Sequence, residues 1–130
     1  MPTTEPTKAC RVLFVDDDEL VRRSLTTMLR RLGYVVTAVE SASVALREVA
    51  RDGSWDVLVT DYDMPEMKGT ILAREVRKLA PTVWIVLCSG RLSEAGRSLD
   101  QFGINATVAK PVNVDILRRS IEARLDSDLP

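Results

Sequence analysis

Three carboxylates, a hydroxyl and an ammonium group stand where short apolar runs of this chain end. Asp16 and Asp17 follow Val12-Leu-Phe-Val15, Asp61 follows Val57-Leu-Val-Thr60, Ser89 follows Ile85-Val-Leu-Cys88, and Lys110 follows Ala106-Thr-Val-Ala109. Brought together, three carboxylates repel one another, and a divalent cation removes that cost. The sequence contains no histidine, so the commonest transition-metal ligand and the commonest general base are both missing. Any metal must therefore sit among oxygens, and all-oxygen ligation with several retained waters suits Mg²⁺. Lys110 adds a second positive charge that can hold an anionic oxygen, and Ser89 offers a hydroxyl donor to another. A carboxylate flanked in this way is equipped to attack phosphorus, with surroundings that stabilise charge on the transferring phosphoryl oxygens. On this reading Asp61 is the nucleophile, and Asp16 and Asp17 carry the metal.

The elements that must position these groups alternate along the chain. Arg11–Val15 reads as a buried parallel strand. A helix follows, with Val21, Leu25, Met28, Leu29 and Leu32 on one face and Gly33 just past its end. Tyr34–Val39 is a second strand, and Ser41 caps a helix that carries Ala42, Ala45, Leu46 and Val49 inward. Asp56–Thr60 leads to Asp61. After the loop 62–69, a helix with Leu72, Val76 and Leu79 inward stops near Pro81. Val83–Cys88 is the fourth strand. Ser93 can cap a fourth helix with Ala95, Leu99 and Phe102 inward, closed by Gly103. Ala106–Ala109 is the fifth strand, and Asn113 caps a last helix with Val114, Leu117, Ile121 and Leu125 inward. Five strands alternating with five helices predict parallel βαβ units, with right-handed crossovers that put helices on both faces of one sheet. In such a sheet the functional crevice lies beyond the carboxyl ends of the strands, where the five polar groups above belong.

Composition narrows the class. At 130 residues, with 45% hydrophobic and 28% charged side chains, the chain fits one soluble domain over residues 9–126, with loose tails at 1–8 and 127–130. A net charge of −1 lacks the basic excess of a nucleic-acid binder. The sequence holds no apolar run near the roughly 20 residues that span a bilayer and no secretory signal, so a cytoplasmic location is expected.

Four segments together resemble the response-regulator receiver domain of two-component signalling systems: Val15-Asp16-Asp17-Asp18, Thr60-Asp61-Tyr62-Asp63-Met64-Pro65, Leu87-Cys88-Ser89-Gly90 and Ala109-Lys110-Pro111. The resemblance covers about residues 9–126. It implies a chemotaxis-regulator-like, flavodoxin-like sheet of strand order 2-1-3-4-5. Residue by residue, it implies that Asp16 and Asp17 hold Mg²⁺, with the backbone carbonyl of Asp63 completing the site. It further implies that Asp61 is the phosphoacceptor, that Ser89 is the switch hydroxyl, and that Lys110 contacts a phosphoryl oxygen. The Lys110–Pro111 bond lies where the family often has a cis peptide. The implied donor is a phosphohistidine on a sensor histidine kinase or a histidine phosphotransfer protein. The domain would then be a phosphoacceptor that assists its own phosphorylation and dephosphorylation rather than an enzyme. The implied output surface, for a downstream protein or domain or for weak dimerisation, is the fourth helix, fifth strand and fifth helix.

Two positions depart from the family pattern. Thr107 stands where an aromatic residue is usual three places before the lysine, which puts the usual coupling between Ser89 and that aromatic in doubt. Lys68 replaces an acidic or amide residue before Gly69 and is read as a surface change. Asp63 and Arg91 are expected to form an ion pair at the site entrance. Asp61-Tyr-Asp63 also resembles the Asp-x-Asp of haloacid-dehalogenase-type phosphatases, but there the motif lies on the first strand and the acidic pair comes late, the reverse of the order here. A degenerate receiver that binds without phosphorylation is a further alternative. A nucleotide-binding flavodoxin-like domain would want a glycine-rich loop where Asp16-Asp17-Asp18 stands. Arg22, Arg23, Arg30 and Arg31 read as a solvated helix face, the alternative being a docking surface for an acidic partner. Trp55 and Trp84 read as packing residues, and Cys10 and Cys88 as unpaired thiols.

Overall fold

A computed structural model of the chain describes residues 9–90 and 99–126. The tails, the Ser93 cap, Ala95 and the Arg91 partner expected for Asp63 lie outside the described residues, as does the side chain of Leu99.

The described elements are β1 (Arg11–Val15), α1 (Glu19–Arg31), β2 (Val35–Val39), α2 (Ala42–Arg51), β3 (Val57–Asp61), α3 (Gly69–Leu79), β4 (Trp84–Ser89), α4 (Leu99–Phe102), β5 (Ala106–Ala109) and α5 (Val114–Asp126). All four strand pairings are parallel, in the order β2-β1-β3-β4-β5. Alternate strand residues face opposite sides. Val12, Phe14, Val57, Val59 and Val86 meet α1 and α5 through Leu25, Leu29, Leu117 and Ile121. Leu13, Val15, Leu58, Ile85 and Leu87 meet α2 and α3 through Ala45, Val49, Leu72 and Val76. Helices on both faces leave the central strands apolar along their whole length, as a parallel sheet requires. Each fully buried Leu or Ile of these two layers contributes about 1.5–3 kcal/mol through its removal from water.

Local signals start and stop the helices. Asp18 caps α1 by accepting the Val21 N–H at 3.1 Å. Glu19 in the first turn and Arg30 and Arg31 in the last complement the helix dipole. Gly33, with φ of +99°, supplies the left-handed residue that ends the helix. Ser41 caps α2 through the Val44 N–H, and Asn113 caps α5 through the N–H groups of Asp115 and Ile116. Two long-range hydrogen bonds tether α5, from the Tyr34 hydroxyl to Glu122 and from the Trp84 indole to the Ser120 carbonyl. Trp55 is buried, with the Arg11 guanidinium 4.3 Å from its ring centre. Cys10 and Cys88 are free thiols.

Four residues expected inward are exposed: Met28, Leu32, Leu79 and Leu125. Met28 lies about 100° around the helix from Leu29, off the stripe that Leu25 and Leu29 bury. Leu32 is the C-cap of α1, beyond its last helical turn. Leu79 and Leu125 occupy the final turns of α3 and α5, beyond the last buried residues of those helices, Val76 and Ile121.

Gly69 opens α3, and a Cβ there would collide with the Asp61 carbonyl oxygen and lie 2.8 Å from Leu87 Cδ1. Glycine at this position lets the helix pack directly under the strand that ends in Asp61. An alanine replacing a helical glycine ordinarily stabilises by up to about 1 kcal/mol. Gly69→Ala is expected to do the reverse, with a loss of about 1–3 kcal/mol typical of overpacking, read by urea denaturation. Gly53→Ala, where a Cβ meets nothing within 4 Å, is expected to change stability by less than about 0.5 kcal/mol or to raise it slightly. A Gly69→Ala protein as stable as the wild type would overturn this reading of the contact.

Candidate functional site

The strand register brings the strand ends level. Val15 pairs with Thr60, Asp61 with Cys88, and Ser89 with Ala109. Asp16, Asp61, Ser89 and Lys110 therefore emerge on one edge of the sheet. Backbone hydrogen bonds continue the ladder past the strands, from Asp16 N–H to Val39, from Tyr62 N–H to Cys88 and from Lys110 N–H to Ser89.

One carboxylate oxygen each from Asp16, Asp17 and Asp61 lies within 4.8 Å of the others. The Lys110 ammonium reaches Asp61 Oδ1 at 2.7 Å. Asp16, Asp61 and Ser89 are buried, at 3%, 5% and 2% exposure, whereas Asp17 faces solvent. The acidic triplet is thus divided: Asp18 caps the helix, and Asp16 turns inward, where one carboxylate oxygen accepts the Asp18 N–H at 2.8 Å. The Asp61 carboxylate also accepts a hydrogen bond from the Asp63 backbone N–H. The Lys110–Pro111 peptide is cis.

Among the described residues three carboxylates face one ammonium, so these groups carry two uncompensated negative charges when all are ionised. Burial pushes the Asp61 carboxyl above the usual carboxylate range, although the Lys110 hydrogen bond and charge pull the other way. Asp16 is also raised, by burial first and by the Asp61 charge, against the Asp18 hydrogen bond. Burial alone would lower Lys110, but its hydrogen bond to Asp61 and the nearby carboxylates raise it instead. The donor set is oxygen throughout, partly open to water at Asp17, and short of two positive charges. These residues fit a hard divalent cation such as Mg²⁺. Beside them a cleft of about 150 Å³ is lined by Asp17, Glu40, Met64 and Glu66. Its carboxylates raise the local concentration of cations at the approach to the site.

The loop between β3 and α3 holds a contact that sequence reasoning missed. Lys68, read there as a surface change, pairs with Asp63 at 2.6 Å and lies 5.4 Å from the centre of the Tyr62 ring. The opposite charges five places apart in one loop were the available signal. Thr60 adds a second contact, its buried hydroxyl donating to the Asp61 carbonyl. Thr107 is half-buried in β5.

A profile of the response regulator receiver domain matches residues 12–122. Together with the parallel 2-1-3-4-5 sheet and its acidic edge, this makes the chain a member of the response regulator receiver domain family of two-component systems. It is 34% identical to the chemotaxis protein CheY of Pseudomonas aeruginosa over 119 residues, 86% of this chain and 93% of that protein. It is 33% identical to the DNA-binding transcriptional regulator NtrC of Azospirillum brasilense over 124 residues, 94% of this chain but only 25% of that protein. Its fold matches a CheY-like response regulator receiver domain protein from Methanospirillum hungatei JF-1 with a TM-score of 0.84 at 30% identity, covering 92% of this chain and 96% of that one. Among the described residues, no helix is long and apolar enough to cross a membrane.

The charge imbalance has a measurable consequence. A carboxyl whose folded pKa is raised stabilises the fold fully only below its unfolded value, and that stability is lost as pH rises through the folded pKa. At pH 7 without divalent cations the ionised Asp16 and Asp61 therefore cost stability. Asp16→Asn keeps the oxygen that accepts the Asp18 N–H and removes the charge. It is expected to raise the metal-free Tm by a few degrees, about 1 kcal/mol. Mg²⁺ is expected to stabilise the wild type by up to about 1.4 kcal/mol per tenfold rise in concentration once in excess, and Asp16→Asn to lose most of that response. Equal Mg²⁺ shifts in the two proteins, by scanning calorimetry, would contradict this charge balance.

Proposed function

We propose that this domain accepts a phosphoryl group on Asp61 from a phosphohistidine of a sensor kinase or histidine phosphotransfer protein and thereby switches its affinity for a partner. The observation that carries this reading is the placement of the Asp61 carboxylate, within 4.8 Å of its two acidic neighbours and 2.7 Å from the Lys110 ammonium. A turn aspartate or a capping pair alone would need neither the cluster nor the lysine.

In the proposed step an Asp61 carboxylate oxygen forms the new bond to phosphorus. The phosphorus–nitrogen bond to the imidazole breaks, and its electron pair returns to the ring nitrogen. Lys110, already hydrogen-bonded to Asp61, binds one oxygen of the transferred group, and the Ser89 hydroxyl donates to another. Held by Asp16, Asp17, Asp61 and the Asp63 carbonyl, Mg²⁺ would supply positive charge that offsets the carboxylates and the phosphoryl oxygens. Burial of Asp61 and Ser89 keeps bulk water away from the acceptor and strengthens each of these contacts.

Phosphorylation would then bias a pre-existing equilibrium between two conformations, read out at α4, β5 and α5. That face contacts the site through Lys110, which leads directly from β5. With Thr107 in place of an aromatic residue, the signal must leave the site by another route than an aromatic rotamer. A downstream protein or domain, or a second copy in a weak dimer, would occupy this face. The proposed location is the cytoplasm, where a kinase would meet it.

Intact-mass spectrometry after incubation with a small phosphodonor tests the proposal. The wild type with Mg²⁺ should gain about 80 Da, one phosphoryl group. Asp61→Asn should gain nothing, and Lys110→Ala should react about 10²–10³-fold more slowly, the usual effect of removing one positioned donor to a developing charge. An adduct that persists in Asp61→Asn, or forms equally well without divalent cation, would overturn the assignment.

A further inference from the structure

We propose that the α1/β2 edge, which adjoins the acidic site through the Arg22 contact with the Asp16 carbonyl, carries a binding groove for a small phosphate-bearing anion. The groove has a volume of about 300 Å³ and is lined by Arg22, Arg23, Thr26, Thr27, Arg30 and Ala38. Guanidinium and hydroxyl groups thus make up its wall, with no carboxylate among the lining residues. This concentration of basic groups stands out in a chain whose net charge is −1.

Helix periodicity creates the arrangement. Positions 22, 26 and 30 lie one turn apart on a single stripe, and 23 and 27 run beside them. The stripe from Arg22 to Arg30 spans about 12 Å along the helix axis, long enough for more than one phosphoryl group. Two of the arginines are pinned: Arg22 donates to the Asp16 carbonyl and Arg30 to the Val36 carbonyl, each at 2.8 Å. Each bond uses one of the five N–H donors of its guanidinium, and the planar fork suits phosphate oxygens in pairs. Arg23 makes no side-chain hydrogen bond or ion pair among the described residues.

Thr26 is the second observation. It is 7% exposed, and its hydroxyl oxygen is buried without a hydrogen-bond partner. Its neighbour Thr27 returns its hydroxyl to the Arg23 carbonyl at 3.0 Å, the ordinary solution for a threonine inside a helix. Thr26 lines the groove, and a χ1 rotation that carries its orphan hydroxyl to the groove surface would give an anionic oxygen a hydrogen-bond donor there. The lining also selects the class of ligand. Ala38 is its sole apolar member, whereas a protein partner would want an apolar centre. A small, highly charged anion matches the walls. The volume is at the lower end of the range for small-molecule sites, which suits a pyrophosphate-sized group with or without an attached nucleoside.

Titration of the full chain with inorganic pyrophosphate and, separately, with ADP tests this, in Mg²⁺-free buffer so that the acidic site stays repulsive to anions. Binding is read by calorimetry and by amide chemical shifts. The expected result is saturable one-to-one binding with shifts centred on Thr26, Thr27 and Ala38. Arg23→Ala should weaken it about tenfold, the scale of one charge-assisted hydrogen bond. Thr26→Val, which removes an unsatisfied polar group and should not harm the fold, is expected to weaken binding severalfold while leaving or raising the Tm. Arg47→Ala, which removes the same charge from α2 on the opposite face, should change nothing. Tighter ADP than pyrophosphate binding would identify a nucleotide as the source of the phosphates, and equal binding would identify the phosphates alone. Absence of saturation, shifts centred elsewhere, or equal losses for Arg23→Ala and Arg47→Ala would overturn the proposal.

Discussion

Repulsion among Asp16, Asp17 and Asp61 is the constraint on which the molecule turns. The three carboxylates are held close enough to share a cation, and among the described residues the ammonium of Lys110 leaves them two charges short of balance. Such a cluster persists only because the rest of the fold supplies the stability that it costs. Two apolar layers, one on each face of the sheet, hold the strand ends in fixed register. Every group of the cluster sits at the end of a strand or one or two residues beyond it. A one-residue slip of β1, β3 or β5 would carry a carboxylate or the ammonium out of range, and it would exchange the side chains packed into the two apolar layers.

The same constraint explains the local details. Gly69 lacks a side chain because α3 begins against the Asp61 carbonyl. Asp18, not Asp16 or Asp17, caps α1, which frees its two predecessors for the cluster. The β3–α3 loop, which forms the rim beside Asp61, is closed by the Asp63–Lys68 pair over Tyr62. At 76% and 53% side-chain exposure that pair is worth little to global stability. Its effect is to hold the loop backbone, whose Asp63 N–H already reaches the Asp61 carboxylate.

Much of this was legible in the sequence, because period and punctuation are local signals. Apolar runs marked all five strands to within a residue or two, and Ser41 and Asn113 announced their helices. The residues that end strands could be gathered on one edge by a general rule for parallel sheets, which is why Asp16, Asp61, Ser89 and Lys110 were found together. What failed depends on tertiary reach. Met28, Leu32, Leu79 and Leu125 are apolar and correctly phased or nearly so, but they lie at helix flanks or in last turns where no partner arrives. Lys68 is exposed, as its reading as a surface change requires; its pairing with Asp63 went unseen because it is fixed by loop conformation, which has no period. The need for glycine at position 69 depends on how α3 packs against β3, and the orphan hydroxyl of Thr26 on how α1 sits over β2. Neither leaves a trace in composition.

The most direct measurement is crystallographic: crystals grown with Mn²⁺ as an oxygen-seeking stand-in for Mg²⁺, with anomalous differences locating the ion. The charge balance described above requires a peak coordinated by Asp61 together with Asp16 or Asp17, with the Lys110 ammonium remaining beside Asp61 but not bound to the ion. An occupied metal site elsewhere, with these three carboxylates left without a cation at saturating Mn²⁺, would contradict it.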